Sequence, residues 1–154
     1  MSAPESLRRL VGEWTGTNRL WLSPEENPRR SDSTATVALA AGGQAVTISY
    51  TWSFDGQPQE GILILERDKD GSKMEAVWTD SWHMSDKLMV CEGSLDEKGV
   101  ASVTGSYAAP PGPDWGWRTS VGPGEGGSFH IRMYNITPEG QEALAVEAIY
   151  SRRG

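Results

Sequence analysis

The sequence predicts an all-β protein: a single up-and-down antiparallel β-barrel of about ten strands behind a short N-terminal helix. Three observations carry this. Runs with two-residue alternation recur, the cleanest setting Val46, Ile48, Tyr50 and Trp52 against Thr47, Ser49 and Thr51. Turn signals separate the runs, at Ala41-Gly42-Gly43, Asp55-Gly56, Asp70-Gly71 and Glu97-Lys98-Gly99. No long crossover interrupts them, so consecutive strands pair, and closing the meander removes exposed edges. A two-sheet sandwich of the same strands is the alternative.

Residues 4–11 suit a short helix, with Pro4 in its first turn and Leu7, Leu10 and Val11 on one side. So short a helix is not stable alone, so its apolar side should dock as a cap on one barrel end. The first strand is expected over 14–22. Residues 24–31 read as a polar loop, either a solvated connection or a lid. Further strands are expected over 33–39, 44–52, 59–67, 74–82, 88–95, 100–107, 115–121, 128–136 and 142–152.

At 154 residues the chain, 1–154, has the size of one domain with one core. Its formal charge of −7 argues against nucleic acid and anionic membranes as partners. No aliphatic run is long enough to span a bilayer, and no apolar leader suggests secretion. Cys91 is the single cysteine, which excludes an internal disulfide and fits a reducing, cytoplasmic setting. Seven Trp against two Phe is unusual, and indoles suit a wide cavity wall as well as a core.

The stretch Trp78-Thr79-Asp80-Ser81-Trp82-His83 is where the pattern breaks. On a strand, Trp78, Asp80 and Trp82 share a side that is otherwise apolar. A carboxylate there is costly unless it is paired, hydrogen-bonded or wet. Turn chemistry sets the neighbouring registers. A two-residue turn at Ser85-Asp86 pairs Trp82 with Met89, Asp80 with Cys91 and Trp78 with Gly93. A three-residue loop at 97–99 then places Cys91 opposite Gly105 and Met89 opposite Tyr107. All these residues fall on one apolar face, taken as the interior. A turn over 137–140 pairs Ile136 with Gln141, which puts Phe129, Ile131 and Met133 inside. It puts His130, Arg132, Tyr134 and Glu147 outside, with His130 opposite Glu147.

Around Asp114-Trp115-Gly116-Trp117-Arg118 the parity stays open: either the two indoles or Arg118 face the interior. An inward Arg118 could pair with Asp80 or bind an anionic head group. Asp80 and His83 supply only two metal ligands where zinc or non-haem iron needs three or four, so no metal site is expected. No motif points to a haem, and the sequence identifies no cofactor. Cys91 is expected buried and inert. There is no Gly-x-Ser-x-Gly elbow and no phosphate-cradling loop before a helix.

The pieces Leu10-Val11-Gly12-Glu13-Trp14-Thr15-Gly16, Gly42-Gly43, the segment 78–83, Gly116-Trp117-Arg118 and the closing stretch 147–152 stand in this order along the chain. On them the chain resembles an uncharacterised bacterial family, a domain of unknown function with a lipocalin-like (calycin) barrel. The resemblance implies a barrel with an internal cavity and supplies no activity. Arg132-Met133-Tyr134 is also similar to the Arg-x-Tyr pair with which fatty-acid-binding proteins hold a carboxylate, although the register sets both outside.

The first functional expectation is a module for a small hydrophobic or amphipathic molecule. Trp78, Trp82, Tyr107 and Trp117 would form its walls, beside His83, with Asp80 and Arg118 orienting its polar end. The second is an enzyme using Asp80 as general acid or base in the same cavity. The third is a protein-interaction module using segment 108–118. The sequence leaves oligomeric state open.

Overall fold

The computed structural model describes residues 2–84 and 86–154. Helix α1 (Glu5–Arg8) is shorter than the expected 4–11, with Pro4 at its N-cap. Ten strands follow: β1 (Gly12–Leu20), β2 (Arg29–Ala40), β3 (Ala45–Phe54), β4 (Gln57–Arg67), β5 (Met74–Asp80), β6 (Met89–Leu95), β7 (Ala101–Tyr107), β8 (Trp115–Pro123), β9 (Phe129–Ile136) and β10 (Glu142–Arg152). Each pairs antiparallel with the next. β1 also pairs with β10, from Trp14↔Arg152 to Leu20↔Val146, which closes the barrel.

The alternating sequence sorts itself as expected. Val46 and Ile48 of β3, and Leu63 and Leu65 of β4, are wholly buried, whereas Ile64 between them is exposed. Trp14, Phe129 and Tyr150 pack in succession with ring centroids 4.7 Å apart. These rings fill the lower interior. Asp55 (φ 49°) and Gly56 (φ 81°) form the two-residue β3–β4 turn, where both positions require positive φ.

Helix α1 plugs the lower end. Leu7 and Leu10 are buried, Ser6 Oγ donates to the Gly99 carbonyl (2.8 Å), and Trp14 Nε1 donates to Leu10 O (2.8 Å). Val11, expected on the docked side, is exposed because it already belongs to the chain leaving the helix. The Arg152 guanidinium donates to Arg9 O and Val11 O and lies over the Trp14 ring, tying the last strand to the plug.

Several boundaries and registers depart from expectation. β2 starts at Arg29, so the polar loop spans 21–28 rather than reaching 31. Strand β5 ends at Asp80 rather than Trp82, because the Asp80 carboxylate turns the chain there. Trp78 therefore pairs with Met89, Ala76 with Cys91 and Met74 with Gly93. The expected turn at Ser85-Asp86 includes Ser85, which lies outside the described residues. The shift is four residues, an even number, so the same side chains still face inward.

The 97–99 loop agrees with expectation: Asp96 N donates to Val100 O, and Gly93 pairs with Val103. In the last hairpin Thr137 N donates to Gln141 O, and Glu142 rather than Gln141 pairs with Ile136. A bulge between Leu144 and Val146 then moves the register again. Glu147 therefore meets Arg132 (2.8 Å) rather than His130, and His130 lies opposite Ile149. His130 keeps its outer-face parity but is buried, its Nε2 3.0 Å from Ser120 Oγ.

Cys91 is buried at 3% exposure, and burial pushes its thiol up to about 11. The folded protein should resist a thiol-specific chromogenic reagent at pH 8 and react fully once unfolded in guanidinium. Rapid labelling of the native chain would contradict this placement.

Candidate functional site

The site grows from one row across three strands. Tyr50 of β3 pairs with Gly61 of β4, and Gly61 pairs with Asp80 of β5. All three face inward, and the missing side chain at Gly61 lets the Tyr50 ring lie across the row. Tyr50 Oη donates to Asp80 Oδ2 at 2.7 Å, and Trp52 Nε1 donates to the same oxygen at 3.1 Å. Trp78 Nε1 in turn donates to Tyr50 Oη at 2.8 Å. Burial first, and the Asp80 carboxylate second, hold the Tyr50 phenol well above its ordinary pKa, so it remains a donor.

The other carboxylate oxygen organises the loop after β5. Asp80 Oδ1 accepts from the backbone N–H of Trp82 (2.8 Å) and of His83 (3.0 Å). The Met84 N–H donates to Asp80 O. Asp80 is 2% exposed, and its four donors occupy the roughly four lone-pair positions a carboxylate offers. That answers the question its sequence position raises: the acid is hydrogen-bonded rather than ion-paired. These four contacts bind Asp80 into the fold directly behind the aromatic residues of the following loop.

The loop carries His83 into an aromatic enclosure. Its ring lies 4.8 Å from Trp82, 5.5 Å from Trp117, and 5.6 Å from both Trp52 and Trp78, centroid to centroid. Trp78 and Trp117 stack at 5.5 Å with planes 6° apart, and Trp117 Nε1 is buried without a hydrogen-bond partner among the described residues. Tyr107 is edge-on to Trp117 and donates through Oη to Asn135 Oδ1 (2.6 Å).

Above these rings, at the barrel end opposite α1, opens a pocket of about 530 Å³. Trp78, Trp82, His83, Tyr107 and Trp117 line it, with Lys87 among the polar groups. Five of the seven sequence-selected residues therefore meet in one place, and Asp80 sits directly behind them. Arg118 does not join them. β8 turns Trp117 inward and Arg118 outward, where it bonds Glu142 through both Nε and Nη2, approaches Ser102 and stacks on Tyr134. Arg132 is likewise outside, on Glu147. Within 108–118, residues 110–114 are exposed, Trp115 is half-buried and Trp117 is buried.

Sequence reasoning missed Tyr50, Trp52 and Gly61 as partners of Asp80. The available signal was the glycine inside a strand, which marks a close approach. Among the described residues no group of three or more His, Cys, Asp or Glu comes together in a way that could hold a metal ion, and no helix is long and apolar enough to cross a membrane.

Burial lowers the pKa of His83, opposed in part by Asp80, and burial with the Arg132 guanidinium lowers that of His130 to about 4. Unfolded histidine takes its proton near pH 6.5. Below that pH the unfolded chain binds more protons than the folded one, so acidification destabilises the fold. The melting temperature should fall as pH drops from 6.5 towards 4. His130→Gln should flatten part of that slope, and a constant melting temperature over this range would contradict it.

Residues 2–152 match the model of a family described as "Protein of unknown function (DUF1579)". The crystal structure of Rv2717c from M. tuberculosis is similar, with a TM-score of 0.65 at 15% sequence identity, covering 99% of this chain and 100% of that one. At that identity the likeness is one of fold. No curated protein matches.

Proposed function

The chain belongs to the DUF1579 family, which carries no ascribed activity, and we propose from its own residues that it binds a small, mostly apolar molecule in the pocket at the open barrel end. The supporting observation is the 530 Å³ opening walled by Trp78, Trp82, Tyr107 and Trp117. Its size matches that of small-molecule sites, with aromatic faces for affinity and His83, Asp86, Lys87 and Ser106 for orientation. Asp80 serves that pocket indirectly, by fixing the loop that carries two of its walls. The enzyme reading has no such support.

N-phenyl-1-naphthylamine, a neutral fluorescent ring compound, tests this directly. Saturable binding should quench tryptophan emission, because three indoles border the pocket. Trp82→Ala should weaken binding about tenfold and leave the circular dichroism unchanged, since Trp82 lies on the loop and is 36% exposed. Non-saturable binding, or affinity indifferent to Trp82, would remove the proposal.

A further inference from the structure

Behind the His83 ring lies a second, much smaller void, of about 10 Å³. That is the scale of a single water molecule. His83 borders both this void and the open pocket, so its imidazole is the partition between them.

The polar edges of the inner chamber come from Asn18, Tyr50, Asp80 and Tyr150. Three of these are committed. Tyr50 and Asp80 bond each other, and Tyr150 Oη lies 2.8 Å from Ser33 Oγ. Asn18 is different. It points inward from β1 at 5% exposure, and among the described residues its amide makes no side-chain hydrogen bond. A primary amide brings one acceptor and two donors, and here they border the void, where they can meet a group that enters it. Among the described residues the His83 ring nitrogens make no hydrogen bond either, and that residue is held through its backbone N–H.

The chamber's charge is one-sided. No Lys or Arg lines it, and the Asp80 carboxylate does. The candidate carboxylate binders Arg118 and Arg132 are on the outer surface, paired with Glu142 and Glu147. An anionic head group would meet a buried like charge with no counter-ion. A long acyl chain would find the space below filled by Trp14, Phe129 and Tyr150.

We propose that this chamber is the head-group subsite of the pocket. It takes the oxygen atom of a small neutral hydrogen-bonding group, a hydroxyl, carbonyl or carboxamide, at the end of an apolar ligand whose body occupies the open pocket. Asn18 recognises that group, and the His83 ring swings aside to admit it. This deepens the binding reading above and rests on it.

A matched set of probes tests the subsite: 2-ethylnaphthalene, 2-naphthaleneacetamide and 2-naphthaleneacetate, titrated against the full chain at pH 7.5 by tryptophan fluorescence. The acetamide should bind at least tenfold tighter than either the hydrocarbon or the carboxylate. Asn18→Leu should erase the preference for the acetamide over the hydrocarbon and leave hydrocarbon affinity intact. Asn18→Ala serves as the second variant should leucine not fit. Equal affinity for acetamide and hydrocarbon, or a preference that survives in both variants, overturns the subsite and leaves the apolar pocket standing. Binding of none of the three overturns both.

Discussion

Asp80→Ala should destabilise the protein by about 3–5 kcal/mol. The carboxylate accepts two buried side-chain donors, Tyr50 Oη and Trp52 Nε1, and two backbone N–H groups of the following loop. Each buried donor left without an acceptor costs about 1–3 kcal/mol, and the loop N–H groups add less because water can reach them. At this chain length each kcal/mol moves the melting temperature by roughly 2–4 °C, so the expected loss is about 10 °C or more. Asp80→Asn should cost at least about 2 kcal/mol, because its NH₂ brings donors where donors already point. Guanidinium denaturation followed by tryptophan emission reads both variants, with Glu139→Ala on the exposed β9–β10 turn as a neutral control. An Asp80→Asn variant within about 0.5 kcal/mol of the parent, the span of an ordinary surface change, would mean the network contributes little.

The second large effect is expected at Gly61. A Cβ there would overlap Tyr50 Oη and Cζ and stand 2.9 Å from Asp80 Oδ2. Gly61→Ala therefore has to expel the Tyr50 ring. The overpacking costs about 1–3 kcal/mol, and the lost Tyr50–Asp80 bond a similar amount. The mechanism predicts strong coupling: in a Tyr50→Val background the same substitution should be nearly harmless. A double-mutant cycle would show a coupling energy above about 1.5 kcal/mol. Strict additivity would show that the clash is not the cause.

Much of the fold was legible because two-residue alternation and turn chemistry are local. The Val46–Trp52 stripe, the Asp55-Gly56 turn and the ten-strand meander needed nothing beyond neighbours in sequence. Registers after the irregular loops were not legible. The Asp80 carboxylate ends β5 two residues early by capping two N–H groups, and the bulge at Leu144/Val146 resets β10. Neither event leaves a composition signal. The candidate site was half legible. Trp78, Asp80 and Trp82 stood out because an acid among indoles breaks an apolar pattern. What satisfies its Oδ2 comes from β3, some thirty residues earlier in the chain, which only folding brings near. Arg118 went the other way because one residue of parity decides its side, and loop length alone does not fix parity.

The seam between β1 and β10 joins Trp14 to Arg152, and the same arginine grips the helical plug. A ribosome delivers these partners in the worst order, with β1 waiting until β10 has emerged. Until then the nascent sheet has two raw margins able to pair with other chains. Sealing it is a single late event that fastens β1, β10 and the helical stopper in one place, so replacing Arg152 would loosen the stopper and the staves together.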